Sequence, residues 1–161
     1  AALDWVNKQG RTDWELRLLG PDCDGWGQRQ IARHKLESQV TITGQLDGDA
    51  LWTAFPEADV FTLATRQDTY AAVVHEAACL GLPLFISRHA GAAGALVRDG
   101  VNGWVVDPRD TAAYGARLLH LLDEGVRARM GAESRAIAES CSAHQRGPAV
   151  WKWMNTHFGV S

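Results

Sequence analysis

The segment 59-DVFTLATRQDTYAAVVHEAACLGLPLFIS-87 places two apolar runs on either side of a stretch that is typical of a helix. The first run, DVFTLAT (59–65), and the last, LPLFIS (82–87), predict buried β-strands. Between them a helix is expected to begin near Ala71 or Ala72. Because a strand, a helix and a second strand in this order are typical of a parallel pair, the segment predicts an α/β fold.

The same alternation continues on both sides of this segment. Further strands are predicted at 14–20, 40–44 and 103–106, and further helices at 1–9, 27–38, 48–54 and from the N-cap Asp110 to residue 124. After residue 126 only helices are predicted, ending in an amphipathic helix at 142–158 whose Trp151 or Trp153 packs on the body. Strands that are nearly continuous in apolar residues predict a parallel sheet covered by helices on both faces.

Composition places the chain among ordinary globular proteins. Its 161 residues predict one domain, 1–161, and the net charge of −3 gives no reason to expect a nucleic-acid partner. There is no apolar run of membrane-spanning length and no signal peptide. Three widely spaced cysteines favour a reducing compartment over a disulfide framework. We therefore expect a cytoplasmic protein whose natural start lies upstream, since the sequence does not begin with Met.

Ligands of such sheets bind outside the carboxyl ends of the strands, so the residues that follow each strand are the candidates. These residues are Gly20-Pro21, Gly44-Gln45-Leu46, Thr65 to Val73 and Ser87 to Gly94. The pattern Gly-x-Gly-x-x-Gly is absent from the sequence, which argues against a nicotinamide or flavin cofactor.

Asp68 and Glu76 flank the predicted start of the helix that follows the strand at 59–65. Asp68 is expected on the loop and Glu76 in the second helical turn, with the free N–H groups of the first turn between them. Those donors favour a phosphate, whereas the two carboxylates favour hydroxyl groups. The arrangement suits a nucleoside diphosphate sugar, and the small Ala71 and Ala72 let its phosphates approach the backbone.

Other interpretations of these residues stay open at this point. Asp68 can serve as a charge at a helix N-terminus, and Glu76 as a solvated carboxylate. His75 and Cys79 are four residues apart on one helix, but two ligands do not make a metal site. The stretch HAGAAG (89–94) is either a second backbone anion site or a loose turn.

Residues 58–87, together with GAAGALVRDGVNGWVVDPRD at 91–110, resemble the carboxyl-terminal half of retaining GT-B glycosyltransferases, the bacterial group 1 or family 4 enzymes. The family pattern of two acids separated by seven residues falls on Asp68 and Glu76, and its Asp-Gly-x-Asn-Gly turn falls on 99–103. The resemblance covers most of the chain and implies a Rossmann-like, doubly wound parallel sheet with helices on both faces.

The resemblance also implies a role for each candidate position. Glu76 takes the ribose hydroxyls of the donor and Asp68 takes the hexose, and these two form the expected catalytic pair. The rest of the expected substrate-binding set is Tyr70, Ala71, Ala72 and Val73 for the hexose and phosphates, Gly44, Gln45 and Leu46 near the base, and Gly20. No protein nucleophile is expected, because in this family the leaving diphosphate assists an attack on the same face. No cofactor or metal is expected either, since the strand ends offer no Asp-x-Asp and no cluster of His and carboxylates that would hold magnesium or zinc.

This sequence departs from the family pattern at four positions. Asp68 stands in place of Glu, Tyr70-Ala71 in place of Phe-Gly, and Ala95 where the family often has Glu. In addition, the family's basic residues for the diphosphate and its acceptor-binding domain precede residue 1, with any membrane contact expected through that domain. The chain is therefore expected to be a fragment that does not transfer sugar alone.

The resemblance further predicts a sheet that lacks its first strand. In the doubly wound order 3-2-1-4-5-6, a slot separates the strand at 14–20 from the strand at 59–65. Either an upstream strand fills the slot, or the two strands close against each other, or the chain associates through these edges. Two other functions also remain open, namely a non-catalytic nucleotide-binding or assembly module and a nucleotide-sugar epimerase domain.

Overall fold

The computed structural model describes residues 1–46, 50, 53–141 and the four positions 148, 152, 154 and 156. Its helices are α1 (Ala2–Lys8), α2 (Trp26–His34), α3 (Ala72–Cys79), α4 (Ala93–Leu96), α5 (Thr111–His120) and α6 (Glu124–Ser140). Its strands are β1 (Leu16–Leu19), β2 (Val40–Gly44), β3 (Phe61–Leu63), β4 (Leu84–Ser87) and β5 (Gly103–Val106), and a 3₁₀ turn at Phe55–Glu57 precedes β3. None of the helices in these ranges is long and apolar enough to cross a membrane.

Two of the predicted helices fall partly outside the described residues. Positions 50, 53 and 54 are helical within the first, 48–54, and positions 148, 152, 154 and 156 are helical within the second, 142–158. Trp151 and Trp153 lie outside the described residues, so their packing stays a prediction. The other predicted elements are present, most of them shorter than the sequence runs that predicted them.

The strands form two parallel sheets. In the first, β1 pairs with β2, and Leu16 lies opposite Val40. In the second, β4 lies between β3 and β5, and Leu84 lies opposite both Phe61 and Gly103. The prediction of a parallel α/β sheet is confirmed.

Helices cover both faces of the three-stranded sheet. Leu84 and Ile86 of β4 pack with buried residues of α3 and α4. Phe85, which lies between them in sequence, packs instead with Tyr114 and Leu118 of α5. Because successive side chains of a strand point to opposite faces, α3 and α5 lie on opposite sides of this sheet, as a doubly wound fold requires.

The two sheets are separated at β1 and β3, which do not pair with each other. The described residues contain five strands, and their pairings, β2–β1 and β3–β4–β5, match the doubly wound order 3-2-1-4-5-6 with strand 1 left out. Of the three alternatives for the slot, direct closure of β1 against β3 is therefore wrong.

The turn at 99–103 joins the second sheet to its helices. Asn102 is fully buried, and its Nδ2 donates to the Leu96 carbonyl at 2.9 Å and to Ser134 Oγ at 3.3 Å. The following residue, Gly103, lies so close to the Leu84 carbonyl that a Cβ does not fit. The Asn-Gly pair thus has a packing role, which holds α4, α6 and β4 together.

Candidate functional site

The predicted helix after β3 begins at the expected place. Ala72 is the first residue of α3, and Ala71 is its N-cap in the left-handed region, with φ of 63°. Among the described residues, the N–H groups of Ala72 and Val73 have no hydrogen-bond acceptor. Because α3 follows a parallel strand, these donors lie at the carboxyl edge of the sheet, where they can bind an anion.

The N-terminus of α2 at the same edge offers no comparable donors. Asp22 accepts hydrogen bonds from the amides of Gly27 and Gln28 at 2.9 Å each, and Asp24 accepts one from Trp26 at 3.0 Å. The bonds from Gln28 and Gly27 lower the pKa of Asp22 below its usual value, so its carboxylate is the favoured form. A protein carboxylate already caps α2, whereas the start of α3 is open.

Asp68 lies on the loop before α3, as predicted. Its Oδ1 accepts a hydrogen bond from the Tyr70 amide at 3.1 Å, so the carboxylate also shapes the turn that leads into the helix. Its own N–H donates to the His89 carbonyl at 3.1 Å. The side chain is half-buried. Asp68 therefore has a structural role in addition to any role with a ligand.

Glu76 occupies the second turn of α3 and is half-buried. No hydrogen bond or ion pair among the described residues reaches its carboxylate. The structure thus places one acid before the open first turn and the other behind it, in the order that the sequence predicted. Tyr70, between them in sequence, is 53% exposed.

The stretch HAGAAG (89–94) is largely a hydrogen-bonded turn. Four of its amides are already used: those of Ala90, Gly91, Ala92 and Ala93 donate to the carbonyls of Ser87, Asp68, Tyr70 and Ala90 in that order, at 2.7–3.0 Å. Two of these bonds cross to the loop before α3. The structure therefore favours the turn over the second anion site, and it shows that the loops after β3 and β4 are joined.

Sequence reasoning included Gly91 among the candidates but missed its role in the seam, the set of hydrogen bonds that joins the loops after β3 and β4. A Cβ on Gly91 would lie far inside van der Waals contact with the Thr69 carbonyl oxygen, so the two loops meet only because this position is glycine. A glycine after a strand was the available signal. Its specific role depends on a partner 22 positions earlier in the chain, and no local pattern reveals that partner.

The remaining candidates lie at the ends of β1 and β2. The Gly20 amide donates to the Gly44 carbonyl at 2.9 Å, and Gly44 has a φ of 76°, which favours glycine. Gln45 is exposed. Leu46 lines a cavity of about 360 Å³ together with Thr43 and residues of the segment that leads to β3.

His75 and Cys79 do not form part of a metal centre in the described region. The Nε2 atom of His75 lies 3.4 Å from the Ala138 carbonyl of α6, and Cys79 is a free, exposed thiol. No group of three or more potential ligands is found within the residues that the structure describes. The expectation that no metal is used stays a prediction.

Comparison with known proteins identifies the family. The family model described as glycosyl transferases group 1 matches residues 1–124. The chain belongs to this family. The structural features of the group 1 glycosyl transferase chain agree with the match, since the open α3 start, the two acids and the turn at 99–103 all fall inside the matched range.

Curated relatives of this glycosyl transferase chain are considerably longer than it is. It is 33% identical over 159 residues to the D-inositol 3-phosphate glycosyltransferase of Acidothermus cellulolyticus. This alignment covers 93% of this chain and 32% of the relative. It is 31% identical over 126 residues to a sulfoquinovosyl transferase of Arabidopsis thaliana, covering 71% and 25%. The chain thus spans between a quarter and a third of these relatives.

Solved structures support the fold. The pneumococcal O-GlcNAc transferase GtfA, in complex with UDP and GlcNAc, aligns with 96% of this chain and 31% of its own, with a TM-score of 0.76 and 23% identity. At that identity the likeness shows the shared Rossmann-like architecture of GT-B enzymes, and it assigns no ligand to this chain.

Proposed function

We propose that this chain is the donor-binding half of a glycosyltransferase that moves a hexose from a nucleoside diphosphate sugar to an acceptor with retention of configuration. The observation that carries the proposal is the open first turn of α3, between Asp68 and Glu76, in a chain of the group 1 family. Relatives named as sugar transferases and a neighbour that binds UDP support it.

The proposed site contacts four parts of the donor. The diphosphate lies against the amides of Ala72 and Val73, where two N–H groups and the positive end of the helix dipole face it. The ribose hydroxyls donate to the Glu76 carboxylate, and the hexose lies towards Asp68. The base extends towards Gly44, Gln45 and Leu46. Small side chains at 71 and 72 leave room for the phosphates.

The chemistry needs charge stabilisation more than a protein base. The bond between the anomeric carbon and the diphosphate oxygen breaks, and the acceptor oxygen bonds to that carbon on the same face. The acceptor proton passes to the departing diphosphate. The amides of Ala72 and Val73 lower the barrier by stabilising the negative charge that develops on the leaving group, because they are already oriented before the reaction.

We also propose that no metal assists this half. Its positive charge comes from the α3 terminus and from basic side chains supplied by segments outside this chain. Activity of the full-length enzyme is expected to survive extensive treatment with EDTA. Loss of activity that is restored by Mn²⁺ would show that the diphosphate site is wrongly assigned.

An acceptor domain is expected from the same polypeptide, since the chain spans only a quarter to a third of its relatives. In a two-domain arrangement the acceptor approaches the sheet edge that carries Asp68 and Glu76. The chain of 161 residues is expected to show no sugar transfer by itself.

The test is nucleotide-sugar binding by the full-length protein, measured by calorimetry with UDP-, GDP- and ADP-sugars. Glu76→Gln keeps the shape and removes the charge, so affinity for the preferred donor is expected to fall roughly 10- to 150-fold, since a hydrogen bond to a charged group contributes about 1.5–3 kcal/mol. Glu133→Gln on the exposed surface of α6 is the matched control. Equal affinity in Glu76→Gln and wild type rules out the ribose contact.

A further inference from the structure

The loops at the carboxyl edge of the sheets differ in charge. The loop between β1 and α2 carries Asp22 and Asp24 and no basic residue. The loops that follow β3 and β4 carry Arg66, Arg88 and His89, and α4, which comes next, has the uncharged sequence AGAL. The edge therefore has acids at the end of β1, whereas its basic side chains lie at the ends of β3 and β4.

The two loops with basic residues are held side by side by their backbones. The Asp68 amide donates to the His89 carbonyl at 3.1 Å, and the Gly91 amide donates to the Asp68 carbonyl at 3.0 Å. Asp68 also forms a parallel β-bridge with Ala90. His89 thus lies directly beside Asp68, the residue towards which the sugar of the donor extends in the proposed site.

Arg66 lies in a tight turn two residues before Asp68. The Thr65 hydroxyl donates to the Gln67 carbonyl at 3.0 Å and accepts a hydrogen bond from the Gln67 amide at 3.2 Å. Arg66, between these two residues, is exposed. Its guanidinium group is therefore available on the surface of the loop that carries Asp68.

These basic side chains have unused hydrogen-bond donors. Within the part of the chain that the structure describes, no hydrogen bond or ion pair reaches the side chain of Arg66 or His89. Arg88 Nη1 lies 3.5 Å from Asp107 Oδ2, which is a long ion pair, and 61% of the Arg88 side chain is exposed. Asp68, the acid of the two loops, already accepts a backbone hydrogen bond at 3.1 Å. This end of the edge therefore offers more donors than acceptors.

A surplus of donors matches an anion better than a neutral sugar. A sugar hydroxyl both donates and accepts hydrogen bonds, whereas a guanidinium group only donates. Guanidinium groups bind carboxylate and phosphate through short, charge-assisted hydrogen bonds that are often bidentate. A protonated imidazole adds a further positive charge. The chemistry at the ends of β3 and β4 is therefore complementary to a negatively charged substituent.

We propose that the sugar of the donor is acidic, as a hexuronate is, and that Arg66, Arg88 and His89 select its negative charge. This inference rests on the proposed donor site, in which the nucleoside lies towards the ends of β1 and β2 and the sugar towards Asp68. The charged substituent then lies over the loops that follow β3 and β4. Selection follows because a neutral hexose leaves the basic side chains without partners.

The diphosphate is the other anion that these side chains could bind. In the proposed site it lies against the amides of Ala72 and Val73, which also attract negative charge. The two roles differ in what they predict for nucleotide binding. A side chain that contacts the diphosphate contributes equally to UDP, UDP-glucose and UDP-glucuronate, whereas one that contacts the sugar charge contributes to UDP-glucuronate alone.

Calorimetry on the full-length protein tests the proposal with donors that differ only at C6, namely UDP-glucose against UDP-glucuronate and GDP-mannose against GDP-mannuronate. The acidic member of one pair is expected to bind at least about 10-fold more tightly, with a ratio that shrinks as salt concentration rises. Equal or tighter binding of the neutral member overturns this inference and leaves the proposed donor site standing. Binding of no nucleotide and no nucleotide sugar rejects both.

Arg66→Gln and Arg88→Gln assign the selection to these residues, and Arg129→Gln on the exposed surface of α6 is the matched control. Each of the first two is expected to lower affinity for the acidic donor about 10-fold and to leave affinity for the neutral donor within about twofold. Binding of the neutral donor shows that each variant is folded. An equal loss for UDP and both donors assigns the side chains to the diphosphate, and this result, or no loss in either variant, overturns the inference.

Discussion

Strands β1 and β4 have similarly apolar sequences, LRLL and LFIS, and entirely different environments. All four residues of β4 are buried, because β3 and β5 pair with it and α3 and α5 cover its faces. In β1 three of four residues are exposed, because no strand among the described residues pairs with its second side. Burial in a sheet thus depends on neighbours as much as on side-chain type, and the two sheets should respond differently to the same mutation.

The largest expected difference comes from one leucine on each strand. Leu84→Ala removes a fully buried side chain and is expected to lower the free energy of unfolding by about 2–5 kcal/mol. Leu18→Ala, at a side chain 40% exposed, is expected to cost less than about 1 kcal/mol in the purified chain of 161 residues. Urea unfolding of both variants measures the difference. Equal costs for the two variants in the short chain would show that β1 is already packed like an interior strand.

A second prediction concerns the loops of the three-stranded sheet. Gly91→Ala pushes against the Thr69 carbonyl and is expected to destabilise the protein by about 1–3 kcal/mol, as overpacking does. It should also weaken nucleotide binding by the full-length enzyme at least about 10-fold, because Asp68 and the start of α3 move with the loop. Gly94→Ala is the matched control, since a Cβ there meets nothing within 4 Å. If Gly91→Ala binds the nucleotide as tightly as the wild type, the hydrogen bonds between the two loops do not position the donor site.

The smallest expected change in stability comes from a substitution at Lys35, which lies between β1 and β2 in the chain. Lys35 ends α2 in the left-handed region with φ of 54° and is exposed, so its side chain contributes little there. Lys35→Gly relieves the backbone conformation and is expected to raise the free energy of unfolding by about 0.5–1 kcal/mol. Thermal unfolding is a suitable measurement, with Lys8→Gly at the last residue of α1, which also removes the ion pair with Asp4, as a control of opposite sign. A fall in stability at Lys35 would contradict the strain argument.

The sequence predicted the order and type of the elements well, because each is marked by local composition. VTITG and GWVV became strands with their predicted bounds, and Asp110 caps α5 through its Oδ1 and the Ala113 amide at 3.0 Å. The helix predicted at 27–38 instead ends at His34. No glycine or proline marks that end, which depends on the burial of Leu36 after the chain has turned at Lys35.

The candidate site was predicted in part. The acids and the open helix start follow from residue types and spacing within one segment, so Asp68, Ala72 and Glu76 lie where expected. The contact between the loops after β3 and β4 was not predicted. It consists of backbone hydrogen bonds from Gly91 and Ala92 to residues more than twenty positions earlier in the chain. Local patterns do not encode which loops of a sheet meet.

The division of the strands between two sheets also follows the chain. β1 and β2 lie within residues 16–44, and β3, β4 and β5 lie within 61–106, so no strand of one sheet interrupts the other. Such contiguous blocks are the natural units of partial unfolding. The two-stranded block can open by losing the contacts of α1 with α5 while the hydrogen bonds of the other block stay intact. In this chain the contacts of α1 with α5 are therefore expected to decide whether the two blocks unfold together or one after the other.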